Sequence, residues 1–234
     1  MTRPIRGPGA ISFALLNLEV AHAAELHRLE PVQVEAVRVV PGTDVPREHI
    51  PSNVQTIDAE TIRDAQSLNL PDLMMNRLQS VTVNEVQGNP YQLDVNYRGF
   101  TASPLLGVAQ GLSVYVDGVR VNEPFGDVVN WDLIPAAAID SITLMPGSNP
   151  LYGLNTLGGA LVIHTKRGDT SPGSEVALSA GSFGRRRLEL THGSHFGAAH
   201  AFLAIAGLEE DGWRDYSPSR PQRLCQARRA QRKS

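Results

Sequence analysis

Hydrophobic positions change rhythm along the chain, and each change marks an element. Leu70, Leu73, Met74 and Leu78 recur at helical spacing, the stripe of a helix with one buried face. Ser67 and Asn69 offer caps before it, with Pro71 in the first turn, where its missing N–H costs nothing. A shorter helix over 59–65 follows Asp58, another capping residue. Elsewhere the period is two, which predicts short extended strands: Val32 to Val40, 53–57, Val81 with Val83 and Val86, Leu93 with Val95 and Tyr97, 113–117, Val119 with Val121, 141–145 and 160–165. Gly88-Asn89-Pro90 reads as a turn, and Asp117-Gly118 is the strongest short hairpin signal in the chain. Residues 101–111 and 122–132 read as loops, and Ile134 to Ile139 as a short helical turn opening at Pro135. Residues 46–168 thus read as one α+β domain, a small mixed sheet with short helices.

Beyond 172 the alternation lengthens. Val176, Leu178 and Ala180 share one face of a strand over 174–180, and Gly181 to Gly184 turns the chain. Arg187, Glu189 and Thr191 then alternate with Leu188 and Leu190, His195 to Gly197 turns again, and 201–208 forms a third strand. Apolar-out, polar-in strands joined by short turns are the pattern of a transmembrane β-barrel. Trp213 and Tyr216 in the following loop suit an interfacial rim. The smallest bacterial barrels need about 8 strands and large plugged transporters close with about 22, and lipid does not tolerate open edges. The expectation is therefore the first few antiparallel strands of an incomplete barrel over 172–219. Residues 220–234 lose the alternation and turn basic; they read as an out-of-frame or residual tail, the alternative being a basic tail that binds membrane or nucleic acid, and three strands cannot close a working barrel.

Composition narrows the picture. Hydrophobic residues make up 41% and charged residues 19% of 234, enough apolar material for a real core. Twenty-one glycines and sixteen prolines against 6% aromatics favour many short strands. A net charge of −3, with no basic stripe interleaved with aromatics in the folded part, gives no reason to expect nucleic acid. The single cysteine, Cys225, excludes an intrachain disulfide and a cysteine-based metal site. No apolar run reaches the about 20 residues of a membrane-crossing helix. Arg3 and Arg6, the apolar run 10–18 and Ala21-His22-Ala23 form a secretory signal over 1–24, although Glu19 interrupts its end. Residues 25–45 are a linker carrying the Val32–Val40 strand, which is either an edge strand of the next domain or a segment that pairs with a partner's sheet.

Catalytic chemistry finds no support. Gly153 to Gly159 lacks the Lys-Ser/Thr of a phosphate loop, and there is no Gly-x-Ser-x-Gly elbow. Asp117 and Asp127 read as turn and surface carboxylates, and His192, His195 and His200 fit no metal spacing. No enzyme activity and no cofactor are expected.

One ordered set of motifs is specific. NYRGF at 96–100, VYVDGVRV at 114–121, IDSITLMPG at 139–147 and LYGLNTLGGALVIHTKRG at 151–168 resemble, in order and spacing, the plug domain of a TonB-dependent outer-membrane receptor. The early helices and GSFGRRR at 181–187 are similar to the same family. The resemblance implies turn and packing roles for Gly99, Asp117, Gly118, Gly147, Tyr152, Gly153, Gly158 and Gly159. It makes 88–92, 101–111 and 122–132 the apical loops, with Arg98, Glu123, Phe125, Asn130 and Trp131 as ligand-binding candidates. It makes Val32, Val34, Glu35 and Val37 candidates for contact with TonB. The implied partners are TonB, outer-membrane lipid and a small-molecule or metal-chelate ligand, a ferric siderophore foremost, with haem, cobalamin, metal complexes and oligosaccharides left open. The rival reading is an isolated plug-like periplasmic module that binds or interacts without transport.

Overall fold

The computed structural model describes residues 36–37, 45–46, 52–85, 88–148, 152–197, 199–211 and 226–227. The signal over 1–24, Val32, Val34, Glu35, Val86, Trp213, Tyr216 and Cys225 lie outside these residues.

Two short strands, β1 (Ala36–Val37) and β2 (Val45–Pro46), pair antiparallel. Next come β3 (Gln55–Asp58), α1 (Ala59–Ala65) and α2 (Leu70–Arg77). Asp58 caps α1 by accepting the Thr61 N–H at 2.7 Å, and Asn69 caps α2 by accepting the Asp72 N–H at 2.8 Å. β4 (Val81–Asn84), β5 (Asp94–Tyr97) and β6 (Phe100–Ala102) form a three-stranded antiparallel sheet. β6 corrects the expectation that the loop begins at 101. Arg98 and Gly99 both sit at positive φ, 51° and 88°, and turn the chain in two residues.

β7 (Leu112–Val116), β8 (Val119–Arg120), β9 (Ile139–Pro146) and β10 (Gly159–Thr165) join β3 in a five-stranded sheet of order β3-β9-β10-β7-β8. Only the β10–β7 pair is parallel. Asp117 and Gly118, at φ 50° and 80°, make the β7–β8 hairpin. The Asp117 carboxylate then accepts the Thr165 N–H at 2.8 Å and its hydroxyl at 2.7 Å, so the Asp-Gly turn fastens the end of β10.

The central strands are buried on both faces. Leu112, Val114, Ile142, Leu144, Leu161 and Ile163 point to the side covered by α2 and the small sheet, where Met74, Val95 and Tyr97 are 0% exposed. Tyr115, Met145, Ala160 and Val162 point to the other side, under Tyr152. Every member of both clusters comes from residues 54–163, so this domain carries a core of its own.

Residues 173–209 form a separate wall: β11 (Gly173–Ala180), β12 (Arg186–Phe196) and β13 (Ala199–Glu209), antiparallel throughout. β12 runs through His195 and Phe196, so the turn expected at 195–197 narrows to the residues after Phe196. β14 (Gln226–Ala227) pairs with Ala206 and Ile205 inside the segment read as tail. The register places Val176 opposite Leu190 and Leu178 opposite Leu188 on one face, and Glu175, Arg187, Glu189 and Thr191 on the other, toward the plug. Val176 and Leu178 are 59% and 76% exposed, an apolar outward face. No helix among the described residues is long and apolar enough to cross a membrane.

Candidate functional site

Three loops lie close together because their bases are tied to one residue. Ser103 is fully buried. Its hydroxyl donates to the Asp94 carboxylate, next to loop 88–92, and accepts the Leu105 N–H at 3.0 Å. Its N–H donates to the Gln110 side chain at 2.9 Å, and its carbonyl accepts the Val129 N–H at 2.9 Å. Trp131 adds a second tie, its indole N–H donating to the Ala102 carbonyl at 3.3 Å. Residues 103–110 therefore close into a compact loop, and 122–130 folds against it.

The second loop is held from below by Asn122, which is 7% exposed. Its carboxamide accepts the Val114 N–H at 2.7 Å and donates to the carbonyls of Leu112 at 3.0 Å and Asp127 at 3.3 Å. β8 ends two residues earlier, so a side-chain amide takes the place of the next peptide group in the ladder. Arg120 grips the Asp127 carboxylate at 2.9 and 3.2 Å, and Asn155 donates to the same carboxylate at 2.8 Å. That arrangement fixes loop 122–128 against loop 153–157. At the tips, apolar side chains face outward: Leu106 is 60%, Phe125 79% and Leu154 86% exposed.

The ligand-binding candidates separate accordingly. Phe125 is a loop tip. Glu123 is exposed and accepts from the Asn130 side chain at 2.6 Å. Trp131, 2% exposed, is a core residue of the loop base. Arg98 lies at the far end of β5 from Asp94, stacked over the Tyr97 ring at 5.1 Å, and is not brought to the loop cluster. Ser103, Gln110 and Asn122 organise the site without having been singled out by the sequence, and Asp127, read there as a surface carboxylate, is tied to Arg120 and Asn155. The only sequence signal near them is the Asn122 and Asp127 pair in the turn-rich stretch after β8.

The glycine-rich connection from β9 to β10 is structural. The Tyr152 carbonyl accepts from the hydroxyls of Tyr115 and Thr156 at 2.5 and 2.9 Å. Gly147 and Gly153 adopt φ of 99° and 78°, Gly158 lies under the Phe100 ring, and a Cβ at Gly159 would sit 2.4 Å from the Met145 carbonyl oxygen. Among the described residues no group of three or more His, Cys, Asp or Glu is arranged to hold a metal. Val37 lies in β1, its backbone opposite Val45.

A self-contained mixed sheet with tethered loops, continuous with an apolar-out and polar-in wall, is the architecture of a pore plug joined to a barrel. The sequence profile described as the TonB-dependent Receptor Plug Domain matches residues 46–160, and the chain belongs to the TonB-dependent receptors. It is 25% identical over 202 residues to a vitamin B12 transporter, BtuB, of Vibrio vulnificus, covering 86% of this chain and 31% of that one. The ferric aerobactin receptor of Klebsiella pneumoniae is 36% identical over 90 residues, covering 38% of this chain and 12% of the receptor. The fold is similar to the alcaligin receptor FauA of Bordetella pertussis, with a TM-score of 0.54 at 20% identity, covering 76% of this chain and 30% of that one. It is equally similar to the outer-membrane ferripyoverdine receptor of Pseudomonas aeruginosa, with a TM-score of 0.55 at 18% identity, covering 75% and 22%. The chain thus spans about a third of the length of the vitamin B12 transporters it matches, 31%.

Proposed function

We propose that this chain supplies the plug and first wall strands of an outer-membrane receptor that takes up a scarce metal chelate, a ferric siderophore foremost. The observation that carries this reading is the exposed tip cluster, Leu106 and Phe125, on loops anchored to a rigid sheet through Ser103 and Asn122. Preorganised loops with apolar tips suit an organic chelator, since little ordering entropy remains to be lost on binding. Residues 1–24 direct export, and Val32, Val34, Glu35 and Val37 offer an extended segment to TonB, which supplies the energy for passage. Vitamin B12, the cargo named for the Vibrio relative, is the chief competitor among ligands.

Uptake of radiolabelled ferric siderophores and cobalamin by cells expressing a complete receptor that carries these residues as its plug and first wall strands, with and without TonB, tests this. TonB-dependent accumulation of an iron chelate is expected. Accumulation of cobalamin alone would reassign the cargo, and no binding of any chelate would overturn the reading. The self-contained core of residues 54–163 favours one rival, a periplasmic plug-like module without transport. Recovery of the protein from the periplasm rather than the outer membrane would support that rival.

A further inference from the structure

The β12–β13 hairpin has two ends of different chemistry. At one, the Tyr91 hydroxyl donates to the Glu210 carboxylate, which Arg185 holds at 2.9 and 3.2 Å. That end is a closed set of hydrogen bonds. At the other, the strand register sets His195 directly opposite His200. Both belong to the face that carries Thr191, because side chains alternate along a strand: Thr191 lies opposite Ala204, Gly193 opposite Phe202 and His195 opposite His200. Counted along the chain, the two histidines fit no ligand spacing. The turn makes them neighbours.

Phe196 and Ala199 are the pair that closes the hairpin. The closing pair of a two-residue loop is hydrogen-bonded and the pairs alternate, so His195 and His200 form the next, non-hydrogen-bonded pair. In such a pair the Cα atoms stand about 4.5 Å apart and the side chains approach most closely. A metal ion holds imidazole nitrogens at about 2.0–2.1 Å, so two of them on adjacent corners of its shell lie about 3 Å apart. Two rings side by side on one face of a hairpin reach that separation by rotating about their side-chain bonds. His195 is exposed and His200 half-buried, which leaves room for water on the remaining corners. Negative charge is also at hand. Gly168, in the connection from β10 to β11, lies against the carbonyls of Ser194 and Ala201, one register step before the pair, and Asp169 follows it. Arg167, donating at 2.6 and 3.0 Å, holds the Asp169 carboxyl below its usual range, and His200 pulls it the same way. The carboxylate thus stays ionised within electrostatic reach of the rings, a setting that favours a cation. His192 differs: it lies on the opposite face, and its Nδ1 shares a hydrogen bond of 2.8 Å with the Ser174 hydroxyl.

We propose that His195 and His200 form a binding site for a first-row divalent transition-metal ion, with water completing its coordination shell. Two imidazoles suit Cu(II), Ni(II) and Zn(II), whereas Mg(II) and Ca(II) take oxygen ligands. The pair supplies two protein ligands and no third, since Asp169 is engaged by Arg167. A bound ion ties β12 to β13 beside the turn. The site is independent of cargo uptake, because it lies at the far end of the wall strands from the loop that Tyr91 fastens.

The test is titration of the full-length protein, in detergent and at mildly alkaline pH where imidazole is neutral, with Cu(II), the ion that nitrogen sites bind most tightly in this series. Affinity is read by competition with a chelator of known strength, and the ligands by electron paramagnetic resonance. The parent should show an ion whose spectrum carries the splitting of two imidazole nitrogens. His195→Ala and His200→Ala should each weaken binding at least about tenfold, the least that altering even a ligand's outer partner costs, and should remove that splitting. Both should keep the strand signal of the parent in circular dichroism, which separates a lost ligand from a lost fold. His192→Ala should bind as the parent does. A parent without the two-nitrogen spectrum, or single variants that match the parent, would overturn the site. Loss of binding in His192→Ala alone would place the ion on the other face and overturn it equally.

Discussion

Asn122→Ala should be among the most damaging single substitutions in the plug. The wild-type carboxamide satisfies the Val114 N–H and the Leu112 carbonyl, on residues that are both 0% exposed. Alanine leaves both groups without a partner in a site closed to solvent, at about 1–3 kcal/mol each. Relaxation of the two-residue β8 recovers a little, so a net loss of about 2–5 kcal/mol is expected. Against the about 5–15 kcal/mol of a typical domain, that is a large share of the stability. The domain's core is self-contained, so residues 46–168 can be expressed separately for urea unfolding. Trp131, 2% exposed, is the reporter, its emission shifting to the red as the core opens. With a slope of about 1–3 kcal/mol per molar in urea, the midpoint should fall by about 1–2 M. A change under about 0.5 kcal/mol at unchanged slope would mean that water replaces the carboxamide, and that Asn122 is not a rung of the ladder.

The other predictions use the same assay or a simple variation of it. Gly159→Ala should cost more than about 2 kcal/mol, because its Cβ would meet the Met145 carbonyl oxygen at 2.4 Å at a φ of +152°; a midpoint near wild type would show that β9 and β10 separate easily. Met74→Ala, at a fully buried position, should lose about 2–5 kcal/mol. Asp58→Ala should lose about 1 kcal/mol at neutral pH by removing the cap of α1. The Thr61 N–H holds the Asp58 carboxyl below its usual range. That stabilisation is complete above the unfolded pKa of about 4 and fades as pH falls through the lower folded value, so wild type and variant should converge in acid. Phe125→Ala should leave the urea midpoint unchanged, since the ring is 79% exposed, and should weaken chelate binding measured by equilibrium dialysis.

Features set by neighbours in the chain were legible in the sequence. The Asp58 and Asn69 caps, the Leu70–Leu78 stripe and the Asp117-Gly118 hairpin each follow from a few consecutive residues, and the structure places them as read. β6 escaped because it is only three residues long and follows a two-residue turn whose first position, Arg98 at a φ of 51°, carries no glycine or asparagine signal. The far end of β12 escaped because His195 and Phe196 are held by pairing with His200 and Ala199 rather than by their own propensity. In the site, exposure at Phe125 could be expected from its turn-rich surroundings. The burial of Trp131 could not, since it depends on the Ala102 carbonyl about thirty residues earlier. The Tyr91–Glu210 contact joins residues 119 apart and leaves no local trace.

The join between plug and wall sets a limit on motion. Gly168 lies so close to the wall that a Cβ there would sit 2.1 Å from the Ala201 carbonyl oxygen, and one at Gly193 would sit 1.9 Å from that of Ser171. The leash between the end of β10 at Thr165 and the start of β11 at Gly173 is thus laid flat on the strands it leads into. Pulled straight, its eight steps reach roughly 28 Å, about one hydrocarbon thickness. An intact plug cannot travel farther than that from its own barrel wall.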